Sequence, residues 1–225
     1  MSKRLIAPFL FGLIGAAILL ALGVWQLERL NWKNHIIAEI GARIDQPPVA
    51  LPEHPVERRD EYLAVRATGR FDGGEIHVLT SRAELGPGYR LIAAFESGNR
   101  RVLVDRGFIL QDRKDDARAP INAELWGNLL WPDEVDPTFT PPPDIEKNIW
   151  FARDVPAMAK HLGTEPVLIV LNKIEPDDHT ALLWPVTVAG IRNAHLNYAI
   201  TWFLLAVSWL GMTGYWLWRI SRRLD

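Results

Sequence analysis

The chain changes character at HLNYAITWF, residues His195–Phe203. The sequence before this stretch is polar, whereas from Tyr198 to Trp218 no residue carries a formal charge. An uncharged run of about 21 residues can cross a hydrocarbon layer of roughly 30 Å as an α-helix. We therefore expect a transmembrane helix here, with His195 at one face of the bilayer. Asn193 is the expected N-cap, because its side-chain oxygen can accept an N–H of the first turn.

A histidine and three tryptophans follow each other seven residues apart, at His195, Trp202, Trp209 and Trp216, so a helix places them close to one stripe. An interfacial histidine often only caps a helix or meets lipid headgroups, and that interpretation stays open beside a ligand role. Three points favour a ligand. A helix N-terminus disfavours the charged imidazolium, the aromatic stripe offers a wall for a flat ring, and the chain has no cysteine for a bare metal site. A haem iron needs only one or two axial side chains.

A second apolar run lies near the N-terminus, at about Leu5–Val24, and predicts another transmembrane helix. A cleaved signal peptide is the alternative, since Lys3 and Arg4 would form a basic leader. The length of the run and the lack of a small-x-small cleavage site before Trp25 favour the transmembrane helix. Apolar residues at three- and four-residue steps extend the helix over Gln26–Ile44, until prolines end it.

Basic residues at both ends of the chain indicate its orientation. Lys3, Arg4, Arg219, Arg222 and Arg223 flank the two apolar runs and should stay cytoplasmic, although three basic residues after the first run weaken the bias. The predicted organisation is a cytoplasmic tail (1–4), a transmembrane helix (5–24), a helical extension (25–45), a periplasmic β-rich domain (46–192), a transmembrane helix with its N-terminal cap (193–218) and a second cytoplasmic tail (219–225).

The middle domain shows short apolar or alternating runs separated by turn residues, the pattern of antiparallel hairpins. The predicted strands are Tyr62–Phe71, Glu75–Thr80, Tyr89–Phe95, Arg101–Leu110, Glu124–Trp131 and Pro166–Ile174. A helix is predicted over Ile149–Leu162, with Asp154 able to cap it. The predicted fold class is a membrane protein in which two transmembrane helices flank a β-dominated, barrel-like or sandwich-like extracytoplasmic domain with one or two short helices.

Composition and motifs argue against several functions. The formal net charge is −2 and the middle domain is mildly acidic, which is unlike the basic surface of a nucleic-acid-binding protein. The chain has no nucleophile elbow, phosphate loop, His-Glu-x-x-His or Cys-x-x-Cys motif, so we expect no enzyme. Asp177-Asp178-His179 is either a metal-binding cluster or, more simply, a solvated turn. The charged run 111–118 is either a solvated hairpin tip or a loop that docks a partner.

Several motifs resemble the Surfeit locus protein 1 family. GVWQLERLNWK (residues 23–33) is similar to the signature after the first span, and HLNYAITWF is similar to that of the second. GRFD (69–72), VLVDRGF (102–108) and WFARD (150–154) follow in the family's order. The match covers nearly the whole chain. Asp105 and Phe108 depart from the pattern, since family members often have asparagine and tryptophan there.

The resemblance implies an assembly factor for haem-copper cytochrome c oxidase that binds haem A and hands it to the oxidase large subunit. The family's proposed haem ligand aligns with His195. Trp202, Tyr198 and Trp25 would then pack against the porphyrin, and Arg29 would meet a propionate. His35 is a candidate second ligand.

The haem A synthesis machinery is a second expected partner, beside the lipid bilayer, and no nucleic acid is expected. No mitochondrial transit segment precedes the first span, so a bacterial inner membrane is the expected location. The alternative is a scaffold that binds oxidase subunits without a cofactor. A membrane-anchored sensor is less consistent with such short cytoplasmic tails.

Overall fold

A computed structural model describes residues 3–222, with side-chain surroundings from Leu5 onward. The side chains of Lys3, Arg4 and Arg223, on which the predicted orientation partly depends, lie outside that described part. The chain divides into two compact units. The helical unit comprises Met1–Glu39 and Val188–Asp225, and the sheet unit comprises Ile40–Thr187.

Two long helices carry the apolar runs. Helix α1 spans Lys3–Ile44 without a break, so the first apolar run and its predicted extension form one helix. Pro8 lies in the second turn of α1 and, because proline has no N–H, leaves one helix hydrogen bond unmade there. Helix α4 spans His195–Ser221. Among the described residues, these are the two helices long and apolar enough to cross a membrane.

The sheet unit is β-rich, as expected, and carries a few short helices. Its strands are β1 (Val49–Ala50), β2 (Ala64–Arg82), β3 (Gly86–Ser97), β4 (Arg100–Leu110), β5 (Ile121–Leu130), β6 (Ile149–Trp150) and β7 (Leu168–Glu175), and its α-helices are α2 (Glu57–Asp60) and α3 (Val155–Leu162). Antiparallel pairing links β2 to β3 and β3 to β4, and β4 pairs with β7 in parallel. β7 then pairs with β5 and β5 with β2, so the path of paired strands returns to its start. Short β1 and β6 pair in parallel with β2.

The predicted helix over Ile149–Leu162 is correct only in its second half. Helix α3 begins at Val155, where Asp154 caps it by accepting a hydrogen bond of 3.0 Å from the Ala157 N–H, and it ends at Gly163 in the left-handed conformation. Residues 149–150 instead form strand β6 beside His77 and Val78. The apolar side chains of residues 149–150 are compatible with a helix or with a strand, and pairing with β2 makes this segment a strand.

Two predicted hairpin features are also wrong. The predicted strands Tyr62–Phe71 and Glu75–Thr80 belong to one continuous strand, β2, and Gly73-Gly74 between them is a bulge and not a turn. Residues 64–71 pair with β5, and β3 pairs with β2 on both sides of the bulge. Gly73 adopts a φ of 95°, which a residue with a side chain rarely does. The run 111–118 is not a hairpin tip, since it joins β4 to β5, which are not neighbours.

The two departures from the family pattern lie in the core of the sheet unit. Asp105 is fully buried, and it accepts hydrogen bonds from Arg90 (2.6 Å), the Gly107 N–H (3.0 Å) and Arg153 (3.3 Å). Phe108 is also fully buried and lies edge-on to the Trp184 ring at 6.1 Å. The buried carboxylate is therefore paired, as a buried charge must be.

We predict that Met158→Ala destabilises the sheet unit by about 2–5 kcal/mol, the usual cost of truncating a fully buried side chain of this size. Met158 lies on α3 in a cluster with Ile76, Ile92 and Leu103. Lys160→Ala, on the exposed face of the same helix, is the matched control and should change stability by less than about 0.5 kcal/mol. Denaturant unfolding of the detergent-purified chain measures both, and equal effects would contradict the packing described here.

Candidate functional site at the helix pair

Helices α1 and α4 pack against each other in antiparallel fashion through small residues. Gly12, Ala16 and Gly23 are buried on α1, and Ala199 and Ala206 are buried on α4. A Cβ atom added to Gly12 would lie 2.1 Å from Cγ2 of Thr213, and one added to Gly23 would lie 2.6 Å from Cε1 of Phe203. Neither glycine could carry a side chain without moving its neighbour. Small residues thus let the two backbones approach closely, as they do between transmembrane helices.

Trp209 explains part of the aromatic stripe. Its indole Nε1–H donates to the Gly12 carbonyl at 3.0 Å, and its ring lies 5.2 Å from that of Phe11. Tryptophans of membrane helices usually lie near the membrane interface, whereas Trp209 lies at mid-helix. There its indole N–H is satisfied by a hydrogen bond to the other helix. Trp216, at the far end of the stripe, is 48% exposed. The stripe is therefore a packing seam over part of its length.

His195 is the first residue of α4, and the other helix holds its side chain. Its Nδ1 atom lies 2.7 Å from Oε1 of Gln26, and the residue is half-buried. The predicted cap at Asn193 is wrong, since Ala194 occupies the N-cap position and makes no side-chain bond to the helix. The Asn193 amide instead donates to Oδ1 of Asn34 at 2.8 Å. Two polar contacts, one to the first residue of α4 and one to the segment just before it, therefore tie this end of α4 to α1.

The other predicted site residues differ in how much of their side chain is exposed. Trp202 is half-buried, two turns along α4 from His195. Tyr198 is 58% exposed and Trp25, adjacent to Gln26 in the chain, is 50% exposed, so both offer free aromatic surface. The guanidinium of Arg29 lies 4.2 Å from the centroid of the Trp32 ring, where it makes a cation–π contact.

Gln26 is the residue that the sequence analysis missed. It continues the three- and four-residue spacing of the buried positions 12, 16 and 23 on α1, and it is a polar residue at the end of an apolar run. That combination was the available signal, because a polar side chain on a packing face needs a partner.

His35 lies apart from this contact. Its exposed side chain is 3.3 Å from Glu39, one turn away on α1. Nine residues separate it from Gln26 on the same helix, or about 13 Å at 1.5 Å per residue. The structure therefore does not bring His35 and His195 together at the level of Gln26.

The 177–179 turn is held by contacts of its own. The Asp177 carboxylate accepts a hydrogen bond from the His179 N–H, and Asp178 pairs with Arg106 at 2.5 Å. Partial burial opposes ionisation of Asp178, but hydrogen bonds from Arg106 and Thr180 outweigh it, so the Asp178 pKa lies below its ordinary value. Within residues 3–222, no group of three or more His, Cys, Asp or Glu is arranged to hold a metal ion.

Sequence comparisons agree with the resemblance noted above. A model described as "SURF1 family" matches residues 13–207. "Surfeit locus protein 1" of Gallus gallus is 31% identical, over 83% of this chain and 68% of the chicken protein. The "SURF1-like protein" of Drosophila melanogaster is 30% identical, over 92% of this chain and 77% of the fly protein. That of Rickettsia conorii is 30% identical, over 85% and 83%.

We predict that the double variant Gly12→Cys/Thr213→Cys forms an intramolecular disulfide on oxidation. The two side chains would meet at the closest approach of the helices, and the chain contains no other cysteine. Gly12→Cys/Gly211→Cys is the control, because Gly211 has open space around it and should stay unlinked. Migration on a non-reducing gel measures both, and cross-linking of the control alone would overturn the helix register.

Proposed function

Since this chain belongs to the SURF1 family, we propose that it is a membrane-anchored assembly factor for haem-copper cytochrome c oxidase, which binds haem A and passes it to the oxidase large subunit. The observation that carries the haem proposal is the His195 imidazole held by Gln26 through one ring nitrogen. The second nitrogen, Nε2, is then the atom that faces a ligand.

The exposed surface of the two helices supports membrane anchoring. Leu204 and Val207 on α4 and Phe11 and Ile14 on α1 are each more than half exposed. A contiguous apolar surface of this kind is unfavourable in water, whereas lipid solvates it well. We propose two spans in a bacterial inner membrane, with both termini cytoplasmic and the sheet unit periplasmic. The closed path of paired strands fits a small barrel.

The residues around His195 fit a haem as cargo. Haem iron is a Lewis acid that accepts an imidazole nitrogen as an axial ligand. His195 would supply that nitrogen, and the free aromatic faces of Trp25 and Tyr198 would cover the apolar macrocycle. Trp202 is less accessible, and only the edge of its ring would contact the macrocycle. Arg29 would have to leave the Trp32 ring to pair with a propionate, which a cation–π contact worth about 1 kcal/mol permits.

A carrier requires binding that is specific and reversible. One imidazole ligand with partly exposed aromatic neighbours suits that requirement better than an enclosed site with two strong axial ligands. The protein would therefore act as a chaperone for haem A and not as an enzyme. Its partners would be the oxidase large subunit and the haem A synthesis machinery.

We predict that His195→Ala abolishes haem binding to the protein purified after co-expression with haem A synthesis. The reduced-minus-oxidised spectrum measures the loss, and His35→Ala, which alters an exposed histidine away from Gln26, is the control and should retain wild-type haem content. If His195→Ala kept its haem and spectrum, the ligand assignment would be wrong. If the wild type carried no haem at all, the scaffold function would replace the carrier.

We predict that Phe139→Cys reacts with a membrane-impermeant maleimide from the periplasmic side. Phe139 belongs to the sheet unit and is 81% exposed. Arg222→Cys, exposed beyond the end of α4, is the control and should react only after the membrane is permeabilised. Labelling of the second variant alone in intact spheroplasts would invert the proposed topology.

A further inference from the structure

We infer that Gln26 is a positioning residue for His195, which fixes the tautomer and direction of the ring so that Nε2 faces the haem iron; this inference rests on the proposed function. The contact is short, at 2.7 Å, and joins side chains 169 residues apart in the chain. Oε1 of an amide can only accept a hydrogen bond, so the contact selects the tautomer that carries its proton on Nδ1. A neutral imidazole protonated at Nδ1 keeps its lone pair on Nε2.

The surroundings of the contact keep it in place. Gln26 is half-buried, one turn beyond Gly23, where α1 and α4 approach closely. The Asn34–Asn193 hydrogen bond of 2.8 Å ties α1 to the residues just before α4. The Gln26 side chain therefore has little freedom to leave His195. If a histidine ligand can rotate freely, its ring is not oriented towards the metal and its affinity for the metal is lower.

The choice of an amide has a chemical consequence. A carboxylate that accepts from Nδ1–H makes the imidazole a stronger donor to the metal, whereas a neutral amide orients the ring with a smaller electronic effect. Gln26 would thus orient the His195 ring without strengthening the bond between His195 and the iron. This combination suits a protein that must release its cargo.

The test compares two variants of Gln26. Gln26→Leu removes the acceptor at nearly constant volume and should weaken haem binding by about 10–100-fold, the usual cost of losing such a partner of a ligating histidine. Gln26→Glu keeps the acceptor and adds charge. It should retain haem, slow its transfer to apo-myoglobin and shift the reduction potential of the bound haem to a more negative value.

Asn34→Leu is the matched control, because it breaks the hydrogen bond from α1 to Asn193, just before α4, and leaves His195 untouched. It should keep wild-type haem affinity and potential. If Asn34→Leu weakened haem binding as much as Gln26→Leu did, or if Gln26→Glu left the potential unchanged, Gln26 would serve only to hold the helices together. These outcomes are separate from failure of the proposed function, in which His195→Ala itself would retain haem.

Discussion

The close approach of α1 and α4 at glycine positions sets the geometry of the candidate site. A Cβ at Gly12, Gly15 or Gly23 would collide with the side chain of Thr213, Trp209 or Phe203. The glycines therefore fix both the distance between the helices and their register. A slip of one helical turn would separate Gln26 from His195 by about 5.4 Å, which no hydrogen bond could span. The polar contact is a consequence of the packing that precedes it along α1 and follows it along α4.

The charged groups of the sheet unit serve a different purpose. Asp105 is enclosed by Arg90 and Arg153, and Arg106 reaches across to Asp178. Removing one partner from a buried pair leaves an uncompensated charge, so such pairs constrain which packing the core can adopt. The described hydrogen bonds between α1 and the segment that contains α4 involve no Asp, Glu, Lys or Arg side chain.

Local patterns predicted much of this structure. Apolar spacing predicted α1 through Ile44, and Asp154 was recognised as a residue that could cap α3, although the predicted helix began six residues too early. Contacts between distant segments were not predictable, because hydrophobic periodicity shows which face is buried but not what covers it. Gln26 lies 169 residues from His195. Likewise, Gly73-Gly74 looks like a turn, and only the two partners of β2 show that the strand continues through a bulge.

In the proposed function, the haem site is divided between two helices, so haem binding is linked to helix pairing. If Gln26 on α1 improves the affinity of His195 on α4 for haem, then haem must stabilise the paired helices by the same free energy, since the two equilibria share one thermodynamic cycle. A tenfold effect corresponds to about 1.4 kcal/mol. That is small beside the packing of two long helices, so the pair would persist in the absence of haem. It is large enough for helix pairing to change the affinity of the proposed site for haem tenfold.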